Sequence, residues 1–557
     1  MGSTVNAEPI PRSARSTSRL LDRERTIATP GFNRWLVPPA ALAIHLSIGM
    51  AYGFSVFWLP LARAVGIQQP ETCNEARFLS LITSTQCDWP VSMLGWTYTL
   101  FFVLLGSSAA LFGRWLERAG PRKAGFVAAL CWSGGLFVSA LGVYTHQIWL
   151  MWLGSGVIGG IGLGLGYISP VSTLIKWFPD RRGMATGLAI MGFGGGAMIG
   201  APLADRLMNL FASRATVGVW QTFVVMGTLY LTSMMVGAFG YRLPPQGWQP
   251  SGYVPVVKNN RLVTSRHVHV DEATRTVQFW LLWGVLCLNV SAGIGVIGMA
   301  SPMLQEVFGG RLIATPLRLA ELAEDQRAQV ATIAAAFAGL LSLFNIAGRI
   351  AWASFSDVIG RKVTYMIFFL LGIALYVSAP LAGEAGRIAV FVTIFCVILT
   401  MYGGGFATIP AYLADLFGTQ HVGAIHGRLL TAWSVAGIVG PVVVNYIREL
   451  QLARGVPPDQ AYNITMYVLA AMLLGGLLCN VLIRPVGEHH YMTDEQLATE
   501  RAKAHEQAVA EQSTRVLPGS VAATSSTALL IAAWTAIAIP LAWGVWITLS
   551  KSFALFR

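Results

Sequence analysis

The chain has 557 residues, of which 54% are hydrophobic and only 11% are charged. Soluble globular proteins carry about 25% charged residues, so this composition excludes a large soluble enzyme, whose surface it could not cover. The net charge of +12 does not indicate nucleic-acid binding, because the basic residues lie in short segments between apolar stretches. The composition indicates a protein surrounded by a lipid bilayer.

The chain begins with a polar tail, residues 1–35, which carries five arginines between Arg12 and Arg25. No apolar segment with a cleavage site follows directly, so this segment is interpreted as a cytoplasmic tail rather than a signal peptide.

Thirteen apolar stretches follow, each long enough to cross a bilayer as a helix, which takes about 20 residues. The first six predict an N-terminal half over 36–241, and six more predict a C-terminal half over 277–484. A polar linker, 242–276, separates the halves, and a second polar segment, 485–525, precedes a thirteenth span within 526–557. The predicted spans are 36–65, 91–116, 122–144, 147–177, 183–211, 217–241, 277–308, 328–356, 362–382, 386–416, 422–448, 460–484 and 526–550.

Basic residues mark the side on which the loops lie, since cytoplasmic loops are enriched in Lys and Arg. The pairs Arg122–Lys123, Arg181–Arg182 and Arg361–Lys362 all fall on one side if the N-terminus is cytoplasmic. We therefore expect a multi-pass protein of the plasma (inner) membrane. Thirteen crossings would leave the C-terminus in the periplasm.

The insertion 66–90 then lies on the outer side and contains Cys73 and Cys87. In an oxidising compartment this pair can form a disulfide. Two free thiols are the alternative, and the sequence leaves the choice open.

An internal repeat relates the two halves. An offset of 240 positions joins Gly120 to Gly360 and Pro170 to Pro410, and it also joins Gly200 to Gly440. Helices 2–5 therefore recur as helices 8–11 in the same orientation. Parallel repeats of this kind place a substrate site between the halves near the membrane midplane.

A loop motif accompanies the repeat, as GRWLERAGPRK over Gly113–Lys123 and ASFSDVIGRK over Ala353–Lys362. Both copies resemble the loop motif of the major facilitator superfamily, with Glu117 and Pro121 as departures in the first. The resemblance implies an all-α membrane protein with the major facilitator fold and one extra C-terminal helix. A cytoplasmic gate is expected from two acidic and basic pairs, Glu117 with Arg118 and Asp357 with Arg361. Generic positive-inside charge is the alternative.

Seven stretches resemble more narrowly the oxalate/formate antiporter family, which is similar to monocarboxylate carriers. The resemblance implies transport of small carboxylates, by anion exchange or coupled to protons. The terminal stretch Ala528–Phe556 looks like the separate small subunit of such transporters, although a simple membrane anchor explains it equally well. The stretches are Tyr98–Arg114, Lys176–Gly187, Tyr241–Gly252, Gln278–Trp283, Ser301–Gly309, Leu341–Trp352 and Gly427–Gly437.

Arg349 is the outstanding charge inside an apolar stretch, where ionisable residues are functional candidates. Asn345 lies on the same helix face, four residues earlier. A guanidinium matches a carboxylate with two parallel hydrogen bonds, and the family resemblance implies a substrate-binding arginine at this position. A structural cation paired with helix-end carbonyls is the alternative.

Trp433 stands where the related oxalate exchanger carries a lysine, judged by the motif Thr431–Ser434. One cation balances one carboxylate. Monocarboxylates such as formate, lactate or pyruvate are therefore favoured over oxalate, which remains the alternative substrate.

Three tyrosines, Tyr52, Tyr167 and Tyr402, are candidates for the wall of the substrate site, with simple packing as the alternative. His45 is a candidate for coupling to protons, although a hydrogen-bonded core histidine explains it as well. Lys176 is interpreted as an interfacial residue.

We expect no enzyme activity, no cofactor and no metal, since the sequence shows no nucleophile triad and no metal-ligand cluster. The remaining alternatives are a carrier for an unrelated solute, such as a drug or a sugar, and a membrane sensor. The protein is expected to be monomeric.

Overall fold

The computed structural model describes residues 20–29, 31–73, 78–178, 182–245, 248–250, 264, 266–418, 421–499 and 526–556. Within these ranges the secondary structure is helical, with isolated β-bridges but no strand. Twelve helices are long and apolar enough to cross a membrane. The glycine-rich helix Arg182–Phe211 adds a thirteenth of 30 residues. The predicted all-α membrane fold with an extra C-terminal helix is therefore confirmed.

The thirteen long helices are numbered in chain order. Shorter helical segments connect them, among them Phe78–Thr83, Val270–Ala273, Gly309–Ile313 and Leu319–Glu321. The long helices are α1 (Arg34–Leu61), α2 (Val91–Ala119), α3 (Pro121–Tyr144), α4 (148–177), α5 (Arg182–Phe211), α6 (Val219–Gly240), α7 (Val277–Phe308), α8 (Glu324–Ile359), α9 (Arg361–Glu384), α10 (Ile388–Phe417), α11 (Thr431–Ala453), α12 (Asn463–Leu482) and α13 (Thr527–Ser552).

The 240-residue repeat is visible in the helix bounds. Helix α9 begins and ends 240 residues after α3 (361 − 121 and 384 − 144). The turns before them are alike as well, because Gly120 and Gly360 have φ angles of +84° and +89°. Side chains with a Cβ rarely adopt this conformation. The two halves are thus built as parallel copies.

One predicted span differs from the observed helix. The stretch predicted over 422–448 consists of a short helix, Val422–Leu429, a break at Leu430, and α11. Helix α11 continues to Ala453, beyond the apolar stretch, and its last turns include the buried polar residues Arg448 and Gln451. Hydropathy alone cannot detect a helix whose polar residues find partners inside the protein.

The end of the bundle that carries Cys73 and Cys87 is called the outer end here, and the end at Gly120 and Gly360 the inner end. The two cysteines form a disulfide, with Cα atoms 5.7 Å apart. In the same loop, the Asp88 carboxylate accepts hydrogen bonds from the backbone N–H groups of Val65, Gly66 and Glu71. The assignment of the inner end to the cytoplasm stays a prediction.

The halves contact each other through pairs of helices. Near the outer end, the Trp58 indole of α1 donates to the Gly298 carbonyl of α7 at 2.8 Å. Helix α2 meets α11 where the Ser92 backbone N–H donates to Glu449 at 2.9 Å. Nearer the inner end, the Ser434 hydroxyl of α11 donates to the Val103 carbonyl of α2 at 2.9 Å. The space between the halves is therefore closed by direct contacts.

Candidate functional site

Arg349 lies on α8 between the halves and is completely buried. Its Nε donates a hydrogen bond to the Asn345 side-chain oxygen at 2.9 Å, one helical turn earlier. Helix α5 approaches Arg349 closely because it has a glycine, Gly194, at the point of contact. A Cβ on Gly194 of α5 would lie 3.0 Å from the Arg349 Nε. The sequence-predicted pair therefore forms, and α5 of the other half is packed against it.

The two terminal nitrogens of Arg349 and the Asn345 side-chain nitrogen have no hydrogen-bond partner among the described residues. No hydrogen bond there joins Arg349 to a carboxylate. A buried cation without a counter-charge is strongly unfavourable, and an unpaired buried donor carries a further desolvation penalty. This cluster of donors without acceptors is suited to binding an anion.

Tyr52 and Tyr402 meet across the two halves. Their hydroxyls are 2.8 Å apart, so one donates to the other. Both hydroxyls, and that of Tyr167, lie near the Arg349 guanidinium, with the Tyr52 hydroxyl at the edge of hydrogen-bonding reach. All three predicted tyrosines therefore lie in the neighbourhood of the arginine.

Trp433 belongs to an aromatic cluster next to Arg349. Its ring centroid lies 4.3 Å from Phe406, whose ring faces the Arg349 guanidinium at 5.6 Å. It also contacts Tyr167 at 5.2 Å and Phe193 at 5.7 Å. The indole N–H is buried without a partner among the described residues. Trp433 therefore lies beside the arginine site.

A small cavity opens toward the outer end from Asn345. It is lined by Tyr52 and Ala197 from the first half, and by residues of α7, α8 and α10 from the second. Its volume of about 10 Å³ is at the limit of what a single water molecule needs. A carboxylate is larger than water, so the site must widen before a substrate can enter.

His45 is buried on α1 and lies near the same cluster. Its Nε2 is 3.1 Å from the Tyr167 carbonyl, and its ring packs against Tyr167 and Phe193. This hydrogen bond is what the packing alternative expects, although His45 remains within the wall of the site. Lys176 is half-buried near the inner end of α4, away from this cluster.

The predicted gate is only partly described. Arg361 forms an ion pair with Asp357 one turn away, and its Nε lies 3.8 Å from Asp415 of α10. These contacts stay within the second half. The side chains of Glu117 and Arg118 lie outside the described residues. The structure therefore brings Asp357 and Arg361 together, and these two ion pairs of Arg361 are with residues of the second half.

Sequence reasoning missed a second buried arginine. Near the outer end, Arg448 of α11 forms a two-bond ion pair with Glu306 of α7, and the Tyr462 hydroxyl donates to Glu306 at 2.7 Å. Both charged side chains are at most 9% exposed. The sequence contained a signal for this pair, because Glu306 and Arg448 each lie near the end of a predicted apolar stretch. Their pairing depends on the tertiary fold and is invisible in the chain.

Two parallel bundles of six helices, with a polar site closed between them, are the architecture of a membrane transporter. The model of the major facilitator superfamily matches residues 40–441 and, in a second match, 319–555. The chain belongs to the major facilitator superfamily.

Relatives with known substrates resemble the chain at modest identity. An oxalate:formate antiporter of Oxalobacter formigenes is 27% identical over 62% of this chain and 73% of its own length. Apicoplast pyruvate carrier 1 of Toxoplasma gondii is 26% identical over 72% of this chain and 81% of its own. These matches agree with the resemblance to the oxalate/formate antiporter family.

A solved structure shares the fold. It is a bacterial homolog of the human lysosomal transporter Spinster, in an inward-facing and unoccupied conformation. It has a TM-score of 0.56 and 15% identity, and the match covers 83% of this chain and 98% of that one.

Proposed function

We propose that this protein transports small monocarboxylate anions, and that Arg349 binds the carboxylate. The proposal rests on the fully buried Arg349 guanidinium, whose terminal N–H groups have no acceptor among the described residues. A carboxylate would accept two parallel hydrogen bonds from this fork and neutralise its charge. The relatives named for oxalate, formate and pyruvate support the same chemical class.

Further groups of the site suit the rest of such a substrate. The Asn345 amide and the Trp433 indole add unpaired donors, and the Tyr52–Tyr402 pair spans the boundary between the halves. Aromatic rings of Phe193 and Phe406 supply an apolar wall for a short carbon chain. Ligand sites typically combine such apolar walls with a few placed polar groups.

Charge balance favours a monocarboxylate over a dianion. Arg349 is the cation placed in this cluster, and the neighbouring Trp433 is uncharged. A second carboxylate would enter a low-dielectric site without a counter-charge, which is strongly unfavourable. Cationic drugs are disfavoured for the same electrostatic reason.

The same geometry suggests how the cycle is driven. A substrate that accepts hydrogen bonds from Arg349 on α8 and contacts Tyr52 on α1 connects the two halves. Its charge compensates a cation that is costly to bury, so the closed state is stabilised when the site is occupied. Because no carboxylate pairs with Arg349 among the described residues, exchange of one anion for another suits the site better than proton coupling through an acidic partner.

Counterflow in proteoliposomes tests the proposal. Vesicles loaded with unlabelled formate, lactate or pyruvate should take up the corresponding labelled monocarboxylate and exclude cationic and neutral solutes. Competition should rank monocarboxylates above oxalate. Uptake of a sugar or a drug, with no competition by carboxylates, would overturn the proposed function. Tighter binding of oxalate would leave carboxylate transport standing and refute the one-cation site.

A further inference from the structure

The C-terminal helix α13 lies along the seam between α5 of the first half and α8 of the second. On one side, the Thr548 hydroxyl donates to the Met198 carbonyl of α5 at 3.4 Å. Gly544 is packed so closely that a Cβ would lie 2.9 Å from Ile199. On the other side, a Cβ on Gly339 of α8 would lie 2.6 Å from the Thr548 hydroxyl. One helix therefore contacts both moving bodies.

A buried carboxylate lies where this seam reaches the outer end. Asp205 of α5 accepts a hydrogen bond from the Thr332 hydroxyl of α8 at 3.0 Å, across the two halves. The Asn209 amide lies 3.4 Å from its other oxygen. The Lys551 Nζ of α13 lies 3.5 Å from an Asp205 carboxylate oxygen and forms an ion pair with it. The Asp205 side chain is 7% exposed and that of Lys551 is 25% exposed.

The cation matters most in one conformation. When α5 and α8 are together at the outer end, Asp205 is buried and needs a counter-charge. When they separate, the bond to Thr332 is lost and water can hydrate the carboxylate, so Lys551 contributes less. Lys551 therefore stabilises the outer-closed arrangement more than the outer-open one.

We propose that Lys551 and Asp205 form an outer latch, by which the thirteenth helix holds the seam between α5 and α8 closed. The latch rests on alternating access, which follows from the superfamily, and is independent of which solute is carried. Its other end provides a matched control. There the Trp534 indole donates to the Trp35 carbonyl at 3.1 Å, a contact of the same helix near the inner end.

Ala201 can report the state of the seam. It is fully buried one helical turn inward of Asp205, on the same face of α5. In the purified full-length protein, Ala201→Cys should react slowly with a bulky maleimide. Adding Lys551→Met should raise the labelling rate about fivefold, the size expected for loss of a partly exposed ion pair. The chain without Ala201→Cys provides the background from native cysteines.

Three variants distinguish a specific latch from a general loosening of the helix packing. Lys551→Arg keeps the charge and should label at the unmodified rate, as should Trp534→Phe. In an Asp205→Asn background the residue at 205 is neutral, so Lys551→Met should no longer accelerate labelling. Lys551→Gln serves the same comparison if Lys551→Met yields no folded protein.

An unchanged rate in Lys551→Met, or an acceleration that persists in the Asp205→Asn background, would overturn the latch. Labelling needs no substrate, so neither result bears on the proposed carboxylate transport.

Discussion

Two arginines of the second half, Arg349 and Arg448, are both buried but have opposite surroundings. Arg448 is held by both oxygens of Glu306, which also accepts from Tyr462. Arg349 has one hydrogen bond, to Asn345, and two terminal nitrogens without an acceptor among the described residues. A paired buried charge serves the fold. The unpaired one is costly to the fold, and under the proposed function it serves a substrate that binds and leaves.

The comparison predicts the largest effect on transport for Arg349→Gln. We expect carboxylate uptake to fall at least about 100-fold, because a charge-assisted, two-bond contact is lost. Thermal stability should stay the same or rise, since an uncompensated buried cation is removed. Uptake and unfolding temperature of the purified variant check both parts. Near-normal uptake would show that another cation recognises the substrate.

Arg448→Gln should show the reverse pattern. Removing one partner of a buried ion pair costs about 3–5 kcal/mol, here by leaving the Glu306 carboxylate charged and without its cation. The unfolding temperature should therefore fall markedly. The double variant Glu306→Met with Arg448→Met should regain most of the stability, because both charges are gone. If Arg448→Gln were as stable as the unmodified protein, the structural role assigned to this pair would be wrong.

Trp433→Lys should change the charge preference of the site. The new ammonium would lie within the aromatic cluster beside Arg349 and could pair with a second carboxylate. At an effective dielectric of 20 such a close pair is worth about 4 kcal/mol before desolvation is subtracted. We expect oxalate to gain at least about tenfold relative to formate in competition assays. Trp433→Phe is the control without added charge, and an equal gain in that variant would point to size rather than charge.

Tyr52→Phe should have the smallest effect of these changes. It removes one hydroxyl of the pair with Tyr402 while keeping the ring, and a typical hydrogen bond contributes about 1 kcal/mol. Substrate affinity should weaken about fivefold without loss of stability. A drop as large as that of Arg349→Gln would mean that the hydroxyl itself binds the carboxylate.

Much of the fold was predictable because hydropathy and the 240-residue repeat are properties of the chain itself. Arg349 and Asn345 were predictable for a similar reason, since a charge deep in an apolar helix is conspicuous and a spacing of four residues fixes the shared face. The pairing of Glu306 with Arg448, and of Asp205 with Lys551, joins residues more than 140 positions apart. No local pattern encodes such contacts.

The aromatic wall shows another limit of the sequence. Phe193 and Phe406 were not distinguished, because a phenylalanine in a membrane helix faces lipid as readily as a substrate site. The break at Leu430 was missed because the segments on both sides of it are apolar. Trp433 was found only through the family resemblance, and its contacts with Phe406 now give it a place beside Arg349.

The central claim is that the free guanidinium of Arg349 binds one carboxylate. Ligand-induced stabilisation of the protein tests this claim most directly. A ligand present at about 100 times its dissociation constant stabilises the folded state by about 2.7 kcal/mol. Formate, lactate or pyruvate should therefore raise the unfolding temperature of the unmodified protein and of the Glu306→Met, Arg448→Met double variant. Arg349→Gln should show no such rise. An equal rise in Arg349→Gln would contradict the account.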